Sequence, residues 1–163
     1  MDLTVNNIED LQAAAASSLI TPTQLGKSPV SGVISAAEVG GMVFTRGRFS
    51  GDVRVTGPLS ETSATIGVLL DGPHVTVGGK AVVPGEIYIF PAGYEHEANY
   101  LSHTDYLLLP VEYAELNVLA QANGLRIPDT LLDQGRRIKD LPQRRERLQA
   151  KARRGCSLTF AVG

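Results

Sequence analysis

PGEIYIFPAGYEHEAN, residues 84–99, is the stretch whose reading decides the fold. Residues 86–90 end in Ile87, Tyr88, Ile89 and Phe90, β-branched and aromatic side chains that suit a pleated, half-buried surface. Pro91-Ala92-Gly93 reads as a turn, with proline fixing φ and glycine accepting φ > 0. His96 stands at the mouth of the next strand, where a period of two puts Tyr94, His96, Ala98 and Tyr100 on one face.

Working outward, residues 30–111 are short strands punctuated by Gly, Pro, Asn and Asp. Strands are expected over 31–39, 41–50, 52–56, 65–70, 74–77, 81–83, 86–90, 94–100 and 106–111. Asp71-Gly72-Pro73 and Gly78-Gly79 are turn signals, the second a hairpin signal. In residues 41–50, Met42, Phe44, Arg46 and Arg48 share one face, with Val43, Thr45 and Phe49 on or near the other. Eight or nine such strands predict a sandwich or barrel with antiparallel neighbours. Residues 6–19 read as a helix capped by Asn6 or Asn7, with Glu9 and Asp10 in its first turn. Residues 21–29 read as a linker. Beyond the strands, residues 113–123 predict a helix with Leu116, Leu119 and Ala120 on one stripe and Gly124 as its stop. A second helix is expected to start at Asp129 and to contain Leu131, Leu132 and Ile138. A third is expected over 143–154, with Leu148 its one large apolar side chain.

Of the 163 residues, 43% are hydrophobic and 20% charged, enough to build a core and too apolar for wholesale disorder. Cys156 is the one cysteine and has no partner for an internal disulfide, so a reducing compartment is the default. The N-terminus MDLTVNNIED lacks the pattern of a signal peptide, and no apolar run approaches the roughly 20 residues that span a bilayer. A cytoplasmic protein without membrane contact is expected. Residues 1–135 hold 6 Lys+Arg against 15 Asp+Glu, and residues 136–163 hold 9 against 2. An acidic body thus precedes a basic tail, a solvated or self-paired face that can add salt-sensitive attraction to phosphate.

The spacing Gly85-x5-Pro91-x-Gly93-x2-His96 resembles the second sequence motif of the cupin superfamily. The order of parts, with GGMVFTRGRFSGDVRV, then IGVLLDGPHVTVGGKAVVPGEIYIFPAGYEHEA, then the helix after YLLLPVEYAELNVLA, looks like the N-terminal effector-binding and dimerisation domain of AraC-type transcription regulators. The resemblance covers roughly residues 30–123. It implies a mainly β fold, a cupin-like (double-stranded β-helix) barrel with an N-terminal helix and C-terminal helices. The expected division is residues 1–29 for the helix and linker, 30–111 for the barrel, 112–155 for helices that dimerise and carry the basic tail, and 156–163 for a loose tail. The resemblance places Leu116, Leu119 and Ala120 in a homodimer interface. The double helix-turn-helix module of that family is not seen in this sequence, so DNA contact is expected to be weak or to come through a missing domain.

The first cupin motif, His-x-His with a nearby Glu, is absent, since His74 is the one histidine in residues 63–80. His96, His74 and His103 with Glu95, Glu97 or Glu61 are the candidate metal ligands if a metal is present, although no metal or other cofactor is expected. No Gly-x-Ser-x-Gly elbow or phosphate loop is present, and Cys156 sits near a terminus. A small-molecule pocket is the stronger expectation. The cupin resemblance points His96 inward, and alternation then carries Tyr94 and Tyr100 with it. Arg46, Arg48 and Arg54 are candidates to bring a guanidinium to that cavity, which would suit a carboxylate-bearing effector. The expected function is a small-molecule-sensing regulatory domain without catalytic residues. The alternatives are a small metal-dependent cupin enzyme (isomerase, dioxygenase or lyase) and a stand-alone dimerisation partner of longer regulators.

Overall fold

The computed structural model describes residues 1–16, 18–39, 41–127 and 136–138. The strands are β1 (Asp2–Val5), β2 (Thr21–Gln24), β3 (Ser31–Val39), β4 (Met42–Ser50), β5 (Val53–Pro58), β6 (Ala64–Asp71), β7 (His74–Val77), β8 (Lys80–Val82), β9 (Ile87–Phe90), β10 (Glu95–Leu101), β11 (His103–Val111) and β12 (Arg136–Ile138). The helices are α1 (Ile8–Ala15) and α2 (Tyr113–Ala122). The strands form two sheets, a larger one in the order β1-β3-β4-β11-β6-β9-β12 and a smaller one in the order β2-β5-β10-β7-β8. Every pairing is antiparallel. The fold is mainly β, as expected, with two antiparallel sheets that, among the described residues, hydrogen bonds do not close into one ring.

The core lies between the sheets. Val30 and Phe49 meet Val53 and Val55 across it, with Val5 and Leu11 completing the cluster. Burying a side chain of this kind contributes about 1.5–3 kcal/mol, so Phe49 on β4 and Val53 and Val55 on β5 hold their strands with these faces inward. A second cluster, Leu69, Val75 and Val82, joins β6 to the β7–β8 hairpin. That hairpin turns on Gly78 and Gly79, both at positive φ, as a two-residue turn between right-twisted strands requires.

Several expectations need correction. Residues 1–29, expected to be a helix and linker, also hold two strands: β1 pairs with β3 and β2 with β5, extending both sheets. Pro22 sits in β2, which is an edge strand, where proline's missing N–H costs the sheet little. The N-terminal helix is shorter than 6–19: α1 starts after Asn7, whose side chain accepts from the Asp10 N–H at 2.8 Å. The expected turn before residue 106 shrinks to Ser102, at φ +74, which passes the chain from β10 in one sheet to β11 in the other. Its N–H donates to Asp52 Oδ1. Residues 136–138, expected to be helical around Ile138, are strand β12 on β9, in register Arg136↔Ile89 to Ile138↔Ile87. The unpaired edge of β9 offers backbone partners that override the weak helical pattern there. The rest of the second expected helix, the third helix over 143–154, Cys156 and the tail over 156–163 lie outside the described residues. Among the described residues no helix is long and apolar enough to cross a membrane.

Candidate functional site: a cavity between the sheets

Side chains of both sheets and of α1 line a cavity of about 240 Å³ that is partly open to solvent. Leu11, Ala14 and Ala15 on α1 form one wall. The larger sheet contributes Thr45 and Phe49 from β4, Thr65 from β6, Phe90 from β9 and Tyr106 from β11. The smaller sheet contributes His96, Ala98 and Tyr100 from β10. No Asp, Glu, Lys or Arg lines the cavity among the described residues.

His96 is 6% exposed, and its Nδ1 is buried with no hydrogen-bond partner. A buried, unsatisfied ring nitrogen costs about 1–3 kcal/mol. Burial holds the His96 pKa below its usual 6.5, with the Gly57 backbone and the Glu95 carboxylate pulling weakly the other way. The imidazole is therefore neutral near pH 7 and carries one donor and one acceptor nitrogen. Phe90 packs against it at a centroid distance of 5.3 Å. Tyr100 and Tyr106 stack at 5.8 Å, and Phe49 meets both edge-on at 5.6 and 6.1 Å. Burial raises both phenol pKa values, that of Tyr106 to about 12, so both hydroxyls stay protonated.

The expected hairpin corner is present. Gly93 takes φ +68 and its N–H donates to the Ser60 carbonyl at 2.8 Å, which locks the turn that delivers His96 inward. His96 and Tyr100 reach the cavity together. Tyr94 does not: it lies ahead of β10, 37% exposed, with its ring near Phe90. Alternation does not extend to it because the strand begins at Glu95.

Arg46 and Arg48 also stay out of the cavity. The alternation of β4 holds, but Thr45, Gly47 and Phe49 form its inner face. Arg46 instead makes a bidentate ion pair with Asp105 on the neighbouring strand, Nε to Oδ1 at 2.8 Å and a terminal nitrogen to Oδ2 at 2.6 Å. Arg48 is exposed. Arg54 pairs with Glu97 at 3.1 Å on the outer face of the smaller sheet.

The three histidines do not converge. His74 is exposed on β7, and His103 is exposed beside Asp71 at 3.4 Å. Among the described residues no three His, Cys, Asp or Glu side chains come together. His96 and His103 sit in different sheets because Ser102 separates the two strands.

Sequence reasoning missed the walls contributed by α1, Phe49, Phe90 and Tyr106. For Phe49 and Tyr106 the period-two pattern was visible, and only the choice of inner face was missing.

α2 buries no side chain among the described residues. Val118 is 65% exposed and Leu119 50%, while Leu116 and Ala120 are half-buried. Its stop at Gly124, φ +68, is as expected.

No family model matches the sequence, and no curated protein does either. Among solved structures, the fold is similar to that of the AraC-like transcriptional activator CuxR, with a TM-score of 0.54 at 12% sequence identity. The match covers 76% of this chain and 51% of that one, so the chain spans about half of the activator's length. Oxalate decarboxylase, a cupin, matches more loosely, with a TM-score of 0.39 at 17% identity over 66% of this chain and 37% of that one. The chain therefore shares the fold of part of an AraC-like activator, in keeping with the resemblance in residues 30–123.

Proposed function

We propose that this chain is a small-molecule-sensing regulatory domain of AraC type. The carrying observation is the cavity itself: about 240 Å³ between the sheets, apolar for the most part, with His96 in its wall. Cavities of this kind, apolar with a few convergent polar groups, are ligand sites by default. Ligand binding is tested by screening a metabolite library against the purified chain by native mass spectrometry. A stoichiometric adduct that is lost in His96→Phe supports sensing, and a chain that takes up nothing from a broad library counts against it.

The second part of the reading is that α2 is a self-association surface. Val118 and Leu119 leave apolar area in water that a second copy of the helix would cover. Sedimentation velocity tests it. Wild type is expected to run as a dimer and Leu119→Glu as a monomer; a wild-type monomer at high concentration contradicts it.

A further inference from the structure

We infer that the ligand of the cavity is an uncharged, largely apolar molecule, about one ring with a short substituent in size, that presents a hydroxyl to His96. The inference rests on the ligand-sensing reading and specifies its chemistry. Three observations carry it.

The first is charge. Among the described residues every lining side chain is uncharged, and the arginines on β4 and β5 are turned outward or paired with carboxylates. A carboxylate or ammonium entering such a site loses its water and finds no counter-charge, which costs far more than a hydrogen bond returns. The carboxylate effector expected from the sequence therefore does not suit the cavity that the fold builds.

The second is size. A cavity of roughly 150 Å³ lined by apolar side chains holds benzene. At about 240 Å³ this one holds a ring and a few further atoms. Phe49, Phe90, Tyr100 and Tyr106 offer ring faces and edges to it.

The third is the polar anchor. His96 lines the cavity, and burial lowers its pKa, so its ring is neutral near pH 7 with one donor and one acceptor nitrogen. Whichever tautomer is present, a hydroxyl satisfies it, because a hydroxyl both donates and accepts. A methyl group in the same place makes no hydrogen bond to the ring.

The test is an NMR titration of the full chain with three para-substituted ethylbenzenes: 4-ethylphenol and 4-ethyltoluene, which match in shape, and the slightly larger 4-ethylbenzoate anion. The expected result is that 4-ethylphenol perturbs cavity resonances and the His96 ring nitrogens, binding roughly tenfold tighter than 4-ethyltoluene. The benzoate is expected to bind at least about a hundredfold more weakly than the phenol. In His96→Phe the phenol and the toluene are expected to bind alike. Equal binding of those two to wild type overturns the hydroxyl anchor. Tightest binding by the benzoate overturns the uncharged class while leaving ligand sensing in place. If none of the three perturbs the cavity, the inference fails. Sensing then stands only if the metabolite screen finds a ligand of another class, and it falls as well if that screen is blank.

Discussion

The Tyr113 hydroxyl accepts a hydrogen bond from the Ala92 backbone N–H at 2.8 Å, tying the first residue of α2 to the turn that delivers His96 into the cavity. Phe90, on one side of that turn, lines the cavity, and so does Pro110, shortly before α2 begins. The helix that carries the exposed apolar residues is thus attached at its root to two pieces of cavity wall. The Tyr113 hydroxyl thus joins the start of α2 to the turn that follows Phe90.

Tyr113→Phe removes that link and little else. The expected cost is about 1 kcal/mol, that of one neutral hydrogen bond, read as a lower urea midpoint. Hydrogen exchange is the sharper measurement: amides of α2 are expected to exchange faster while those of β4 and β11 are unchanged. Unchanged exchange in α2 would mean that the helix is held by other contacts.

His96 sets a pH dependence of stability. Its pKa is lowered in the folded protein, chiefly by burial, so the unfolded chain takes up its proton first as pH falls. Its contribution is complete above pH 6.5 and is lost as pH drops from there through the lowered folded value. The urea midpoint of wild type is expected to fall between pH 7.5 and pH 5.5 more steeply than that of His96→Phe. Parallel profiles for the two proteins would refute this.

Gly47 lies directly under the Tyr106 ring, where an added Cβ would overlap the ring carbons and hydroxyl. Gly47→Ala therefore pushes Tyr106 away from β4 and changes the shape of the cavity that Tyr106 lines. Overpacking of this kind costs about 1–3 kcal/mol. A lower melting temperature together with weakened 4-ethylphenol binding is expected. A variant as stable as wild type would show that the ring has room to move.

Asp105→Asn removes the carboxylate's charge and one of the two oxygens that accept from Arg46, leaving a weaker contact to the guanidinium. Both side chains keep some contact with water, at 15% and 18% exposure. The expected loss is accordingly about 1.5 kcal/mol, the low end for charge-assisted bonds. Ligand affinity is expected to stay unchanged, because the pair lies on the outer face of the larger sheet. A large affinity change on titration would place Arg46 in the site after all.

The local chemistry of residues 84–99 was legible without coordinates. Pro91 and Gly93 can only turn there, the residues around Ile89 can only be strand, and His96 and Tyr100 share a face by period two. The alternation of β4 was equally plain, yet it does not say which face is inside. Arg46 on one side and Phe49 on the other are both consistent with a half-buried strand, and a functional arginine is as good a guess as a paired one until Asp105 arrives from 59 residues away. Strands β1 and β2 were invisible for a related reason. Short polar segments such as DLTV and TPTQ have little strand signal of their own and become strands because β3 and β5 offer open backbone edges.

By itself, then, the sequence determined a mainly β chain with a cupin-type hairpin and a histidine at its corner, because turn chemistry and side-chain period are local properties. The tertiary structure decided the rest: that α1 walls the cavity, that the arginines face away from it, and that the three histidines never meet. Those outcomes depend on which strands pair and which sheet each joins, and on where a charge finds its partner. They are settled by contacts between residues far apart in the chain.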